Sequence, residues 1–293
     1  MREAYGYMTI VAASVIWGTM GIFGKLAFNY AVSPPTLIAL RLLASSLTIV
    51  ILTFLFRREH FTVHRRDLPL LLILGVFGTA MQRLTYFYAI DLTTVTMAAV
   101  LFYTYPIFVT ICASLLFKEK MTLTTVLAMA SAFIGVALVV KAYTYSSLNT
   151  NVFGIAAGLL SSIFFVAFFF IAKNFRSKYS SWTLILYGDT IGAAALSPII
   201  ASSISEMAVF PPQLWLLVLI IAWFPSLLGY LLYSHALKHV KSSKGSILSV
   251  AEPLSAAIFS VAIFGETFEP LQVLGVALAL TGVVLLFAKP KFG

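Results

Sequence analysis

The chain has 293 residues, of which 61% are hydrophobic and only 10% charged. A soluble domain carries roughly 45–50% apolar and about 25% charged residues, so these few charges cannot cover a solvated surface and a polytopic membrane protein is expected. The net charge of +9 would suit a nucleic-acid partner, but its distribution along the chain argues against one.

Polar breaks delimit ten apolar runs, near residues 7–29, 34–56, 69–90, 94–117, 121–141, 152–174, 181–203, 213–236, 243–264 and 268–288. Each is about 20 residues long, enough for a helix to cross about 30 Å of hydrocarbon. The runs are continuously apolar instead of alternating, which argues against barrel strands. The first carries Trp17, Gly18, Gly21, Gly24 and Lys25, and the second Arg41. The third holds Gln82, Arg83, Tyr86 and Tyr88, with Asp91 at its end. Tyr103, Tyr105, Pro106 and the single cysteine, Cys112, lie in the fourth, and Gly135 in the fifth. The sixth has Gly154, Gly158 and a crowd of phenylalanines from Phe164 to Phe170, and ends at Lys173. Gly188, Asp189 and Gly192 mark the seventh, and Trp223, Tyr230, Tyr233 and His235 the eighth. Glu252 and Pro253 stand in the ninth, Gly275 and Gly282 in the tenth. Glycines four apart let helix backbones approach closely.

Lysine and arginine gather in alternate loops. Arg2, Arg57, Arg58, Arg65, Arg66, Lys118, Lys120, Arg176, Lys178, Lys238, Lys241, Lys244, Lys289 and Lys291 share one side, with Lys173 at its boundary. The opposite loops (29–33, 91–93, 142–151, 204–212 and 265–267) contain neither residue, and Lys141 only flanks one. The positive-inside rule then places both termini in the cytoplasm. Basic clusters there also suit anionic lipid. A lone cysteine excludes an intrachain disulfide, and no signal-peptide cleavage pattern is visible.

The second half repeats the first. Tyr86–Val140 moved forward by 147 positions lands on Tyr233–Phe287 without a gap. Tyr86 meets Tyr233, Pro106 meets Pro253, Glu119 meets Glu266 and Gly135 meets Gly282. Five spans precede 142–151 and five follow, so the second copy enters the membrane inverted, with Glu119 inside and Glu266 outside. The expected fold is an all-α membrane protein of ten transmembrane helices: a first five-helix repeat over 1–147 and a second, inverted one over 148–293.

These features resemble the drug/metabolite transporter superfamily in its EamA-type branch. The resemblance rests on Trp17-Gly18, Arg41, and the stretch from Pro106 through Phe117-Lys118-Glu119 to Gly135. Its repeat runs from Glu252-Pro253 through Phe264-Gly265-Glu266 to Gly275 and Gly282. The first half departs from the Glu-Pro pair, having Tyr105 before Pro106. The resemblance implies two inverted five-span repeats and export or facilitated passage of small metabolites, often amino acids, across the inner membrane of a prokaryote.

Ionisable groups inside a membrane cost about 2.5–3.5 kcal/mol each on insertion scales, so they are functional candidates by default. Lys25, Arg41, Arg83 and Asp91 fall toward the external side; Lys173, Asp189, Glu252 and His235 fall toward the cytoplasm. Arg41 and Asp189 are 148 residues apart, as are Lys25 and Lys173. These groups form either gating ion pairs, in an outer set (Lys25, Arg41, Arg83, Asp91) and an inner set (Lys173, Asp189, Glu252), or structural contacts to backbone and helix ends. Arg83, with Gln82 and Tyr86, offers planar donors suited to a carboxylate. Glu252 can carry a proton or meet a substrate ammonium. Trp17, Tyr86, Tyr103, Trp223, Tyr230 and Tyr233 either wall a cavity or pack and face lipid. Pro106 and Pro253, read as kinks inside spans four and nine, are hinge candidates. His235 and His239, four apart, lack a third ligand, so no metal is expected, and no cofactor or nucleotide-binding element is visible.

The leading function is a secondary transporter exporting small metabolites, most of all amino acids, by alternating access, with proton coupling through Glu252 as an option. It would work in the bilayer as a monomer or weak homodimer. The alternatives are transport of another solute (a vitamin, nucleotide precursor or cationic drug), or an intramembrane enzyme or sensor, for which the chain shows neither a catalytic constellation nor an effector domain.

Overall fold

The computed structural model describes residues 2–117, 123–139, 141, 145–175, 178–236, 248–249 and 251–287. Lys118, Glu119, Lys120, Arg176, Lys238, His239, Lys241, Lys244, Lys289 and Lys291 lie outside them, as do the side chains of Arg2, Pro106 and Lys173. Among the described residues the fold is helical, with no strand.

The first half comprises α1 (Arg2–Phe28), α2 (Pro34–Phe56) and two short 3₁₀ turns, Arg58–Phe61 and Arg65–Asp67. α3 (Leu68–Ile73), a π-helical segment Leu74–Met81 and α4 (Gln82–Leu92) follow as one rod; then come α5 (Val95–Phe102), α6 (Tyr105–Phe117) and α7 (Leu123–Val139). The second half comprises α8 (Tyr145–Phe175), α9 (Ser181–Ala195), α10 (Ser197–Ser202) and α11 (Ile204–Met207). A second rod consists of α12 (Pro212–Ile221), a π-helical segment Ala222–Leu228 and α13 (Gly229–Ala236); α14 (Ala251–Phe264) and α15 (Pro270–Phe287) complete the chain. Among the described residues, five stretches are long and apolar enough to cross a membrane by length and composition: Ala4–Phe28, Pro34–Phe56, Arg65–Leu92, Val152–Ala172 and Pro212–Tyr233. Val95–Val109, Val126–Val139, Ala251–Phe264 and Pro270–Gly282 are apolar but shorter.

Helix boundaries recur 147 positions apart well beyond the stretch where side chains match. α1 ends at Phe28 and α8 at Phe175; α2 starts at Pro34 and α9 at Ser181; α6 ends at Phe117 and α14 at Phe264. Both π-helical segments end on this offset, at Met81 and Leu228. The capping chemistry recurs too. Ser33 accepts from the Thr36 amide (3.3 Å) and Ser180 from the Thr183 amide (3.2 Å), each satisfying an otherwise unpaired donor at a helix start. Arg41 therefore corresponds to Gly188, not to Asp189. The 148-residue spacing read from sequence is one position out of frame, about 100° around a helix.

The two prolines differ from expectation. The fourth apolar run breaks at Tyr103-Thr104, and Pro106 is the second residue of α6; Pro253 is the third of α14. In a first helical turn the missing N–H leaves no bond unmade, so each proline starts a helix instead of kinking a continuous one. Among the described residues, Pro225 is a proline inside a helical rod, in the second π-helical segment.

The halves interleave. α1 packs on α13 and α14, α8 on α4 and the first π-helical segment, and α2 on α9. A close seam joins α7 to α15, where a Cβ on Gly135 would lie 2.6 Å from the Gly275 carbonyl oxygen and 2.8 Å from Ala279 Cα. Only glycine permits that approach.

Candidate functional site

The π-helical segments aim the site. Each widens one helical turn and resets the direction of the side chains after it, a distortion common at functional positions. Gln82 and Arg83 follow the first segment directly; Tyr230 and Tyr233 follow the second. Arg83 Nη1 donates to Asp189 Oδ1 at 2.6 Å, and Asp189 Oδ2 accepts from Ser45 Oγ. Asp189 is 2% exposed. Arg41, fully buried, stands one turn before Ser45 on α2 and gives Nε (3.1 Å) and Nη2 (2.5 Å) to Ser226 Oγ. That hydroxyl in turn donates to the Ile221 carbonyl at 2.6 Å, across the second π-helical segment.

A second polar centre surrounds Glu252. Tyr103 OH lies 2.9 Å from Glu252 Oε2 and 2.7 Å from the Ser249 carbonyl oxygen. Tyr86 and Tyr105 lie close enough to Glu252 to feel its charge, and Tyr233 is close to both Tyr103 and Tyr105. The Trp17 and Tyr233 rings are 5.0 Å apart. Gly18 lets α1 approach here, since a Cβ there would come within 2.9 Å of the Glu252 carbonyl oxygen. Phe102 links Tyr86 (5.6 Å) to Tyr105 (5.6 Å) and Phe165 (5.2 Å) by edge and tilted ring contacts. Tyr230, whose hydroxyl is hydrogen-bonded with Ser181, lies within electrostatic reach of Tyr233, Asp189 and Arg83. Tyrosines carry an apolar body and a polar tip, so a chain of them can pass an amphipathic solute between two charged ends.

A third contact lies apart. Lys25 Nζ is 3.3 Å from Glu266 Oε1 and 4.6 Å from the Phe264 ring centre, while Thr96 donates to Glu266 Oε2 at 3.1 Å. This ties α1, α5 and the loop after α14 together.

The expected outer and inner sets are therefore regrouped. Arg83, from the outer set, pairs with Asp189 from the inner one, with Arg41 beside them. Lys25 turns to Glu266, and Asp91 is exposed at the end of α4 with no ion pair among the described residues. Opposite charges converge where a cluster of three cations would repel. Of the aromatic candidates, Tyr103 and Tyr86 lie by Glu252, Trp17 packs near Tyr233, and Tyr230 lies within electrostatic reach of Tyr233, Asp189 and Arg83. Trp223 is not among them: the residue is 47% exposed and its Nε1 donates to Thr48 Oγ1 at 2.9 Å. Gln82 is buried beside Arg83. Ser45, Thr96, Ser226 and Glu266 are partners that charge and hydropathy along the chain do not single out. Arg41 and Ser45 stand four apart on one face of α2, a signal that was available.

The EamA-like transporter family matches residues 4–141 and again 152–288. The chain belongs to this family. As an EamA-like membrane transporter it is 31% identical to an uncharacterized transporter of Archaeoglobus fulgidus over 96% of each chain. It is also 25% identical to the pseudopaline exporter of Pseudomonas aeruginosa, over 67% of this chain and 66% of that one. A probable terminal-alkyne amino-acid exporter of Streptantibioticus cattleyicolor is 23% identical, over 75% and 73%. A crystal structure shares the fold of this EamA-like transporter with a TM-score of 0.62 at 16% identity, over 96% of this chain and 97% of the other.

Proposed function

We propose that this transporter exports small metabolites, amino acids foremost, by alternating access. In this reading the ten apolar runs are ten spans, arranged as two oppositely oriented repeats (1–147 and 148–293) with both termini cytoplasmic in the inner membrane. The observation that carries the substrate reading is the line from Glu252 through Tyr233 and Tyr230 to Asp189 and Arg83. A carboxylate at one end suits an ammonium group, and a guanidinium at the other suits a carboxylate. The aromatic rings between them suit an apolar side chain. Two relatives named as exporters, one of an amino acid, are consistent with this polarity.

Matched helix ends support the repeat, since a shared frame with an odd number of spans gives oppositely facing halves around a common midplane site. The contact of Lys25, Thr96 and Glu266 would then hold the external side closed. Trp223, Asp91 and Lys173 lie outside this account, and Pro253 serves as a helix start at which α14 can pivot.

The test is uptake of a labelled amino-acid panel by everted vesicles or proteoliposomes containing the purified protein. Saturable flux of at least one member is expected; no flux of any amino acid rejects the reading. If Glu252 carries the coupled proton, Glu252→Gln flattens the dependence of flux on pH. An unchanged profile assigns Glu252 to ammonium binding alone.

A further inference from the structure

Two guanidinium groups and one carboxylate meet in the interior of the bundle. Arg83 is neutralised by Asp189, whose other oxygen is held by Ser45. Arg41 has no such counter-ion among the described residues. It is 1% exposed, it lies within electrostatic reach of both Arg83 and Asp189, and two of its nitrogens bond a serine hydroxyl. Its third nitrogen, Nη1, is buried with no hydrogen-bond partner among the described residues. A hydroxyl accepts a hydrogen bond but cannot cancel a charge. The cluster therefore keeps one excess positive charge where a membrane protein can least tolerate it.

The two arginines are also unlike in freedom. Ser226 anchors Arg41 inside the bundle, whereas the Arg83 side chain is 23% exposed and within electrostatic reach of Tyr230. A fixed cation with an unmet N–H beside a more accessible cation makes a two-point receptor for a planar anion.

We propose that Arg41 and Arg83 form an anion-binding site whose ligand is the carboxylate of the transported compound, which replaces Asp189 on Arg83. The proposal rests on the transport reading above and deepens it. Ser45 keeps its bond to Asp189 during the exchange, so the displaced carboxylate is not left bare. With a carboxylate in place the cluster is neutral. A compound that has the same side chain and ammonium group but no carboxylate leaves the excess charge uncancelled, so the site rejects simple amines and cationic drugs. A free inorganic anion shares this chemistry and is separated by the test.

The measurement is thermal unfolding of the purified full-length protein in detergent at constant ionic strength, titrated with 3-phenylpropionate, with phenethylamine and with chloride. A saturable rise in midpoint is expected with 3-phenylpropionate only. In Asp189→Asn, which keeps an acceptor for Ser45 but removes the competing charge, half-saturation should fall at least fivefold. In Arg83→Gln it should rise at least tenfold. No response of the wild-type protein to 3-phenylpropionate, or an equal response to phenethylamine, overturns the proposal. A response to chloride alone assigns the site to inorganic anions and overturns the carboxylate assignment. The wild-type comparison needs no variant to fold. Flux of amino acids without anion-dependent stabilisation removes this site and leaves the transport reading intact; anion binding without flux does the reverse.

Discussion

At the scale of single residues, the energetics turn on Asp189. It is nearly sealed and holds together one hydroxyl and one guanidinium, with a second guanidinium close by. Removing one partner of a buried ion pair leaves an uncompensated charge and costs about 3–5 kcal/mol. Asp189→Leu should therefore lower the unfolding midpoint sharply, and the double variant with Arg83→Leu should recover part of the loss. A double-mutant cycle in detergent checks this; strict additivity would mean the pair is not coupled. Tyr103 makes a different point. Tyr103→Phe keeps the ring packing but removes a donor shared by Glu252 and the Ser249 carbonyl, a change worth about 1–3 kcal/mol. The candidate cations and acids were legible in the sequence because charge inside an apolar run is conspicuous. Their partners were not, because Ser45 and Asp189, or Lys25 and Glu266, are 144 and 241 residues apart and nothing local connects them.

Elements carry the second set of consequences. The seam between α7 and α15 depends on Gly135, where even a methyl group meets backbone atoms that cannot swing aside. Gly135→Ala should cost about 1–3 kcal/mol by forcing the helices apart, read as a lower unfolding midpoint. Pro225 belongs to the second π-helical segment, whose shape directs Tyr230. Pro225→Ala removes the constraint that keeps the turn wide and lets the rod relax toward regular α-helix. The expected outcome is a several-fold loss of flux with no loss of thermal stability. Neither π-helical segment was legible from hydropathy, since an apolar run reads the same whether its turns hold four residues or five. The same blindness made Pro106 and Pro253 read as kinks: composition marks the run, while the break that restarts each helix depends on local hydrogen bonding.

Across the whole molecule the repeat frame governs. Side-chain similarity exposed it only over Tyr86–Val140 and Tyr233–Phe287, because elsewhere the halves keep helix ends and caps while replacing residues. Arg41 opposite Gly188 and Arg83 opposite Tyr230 illustrate this: a shared frame with a chemically one-sided site. Under the proposed function such a site would orient the solute, carboxylate toward the arginines and ammonium toward Glu252, while the two halves rock around it. The most direct measurement is exchange of labelled phenylalanine across proteoliposomes by the wild-type protein, Arg83→Gln and Glu252→Gln, each with its folding verified by unfolding midpoint. A two-ended site predicts saturable exchange by the wild type and at least tenfold loss in both folded variants. Exchange undiminished in both would contradict it.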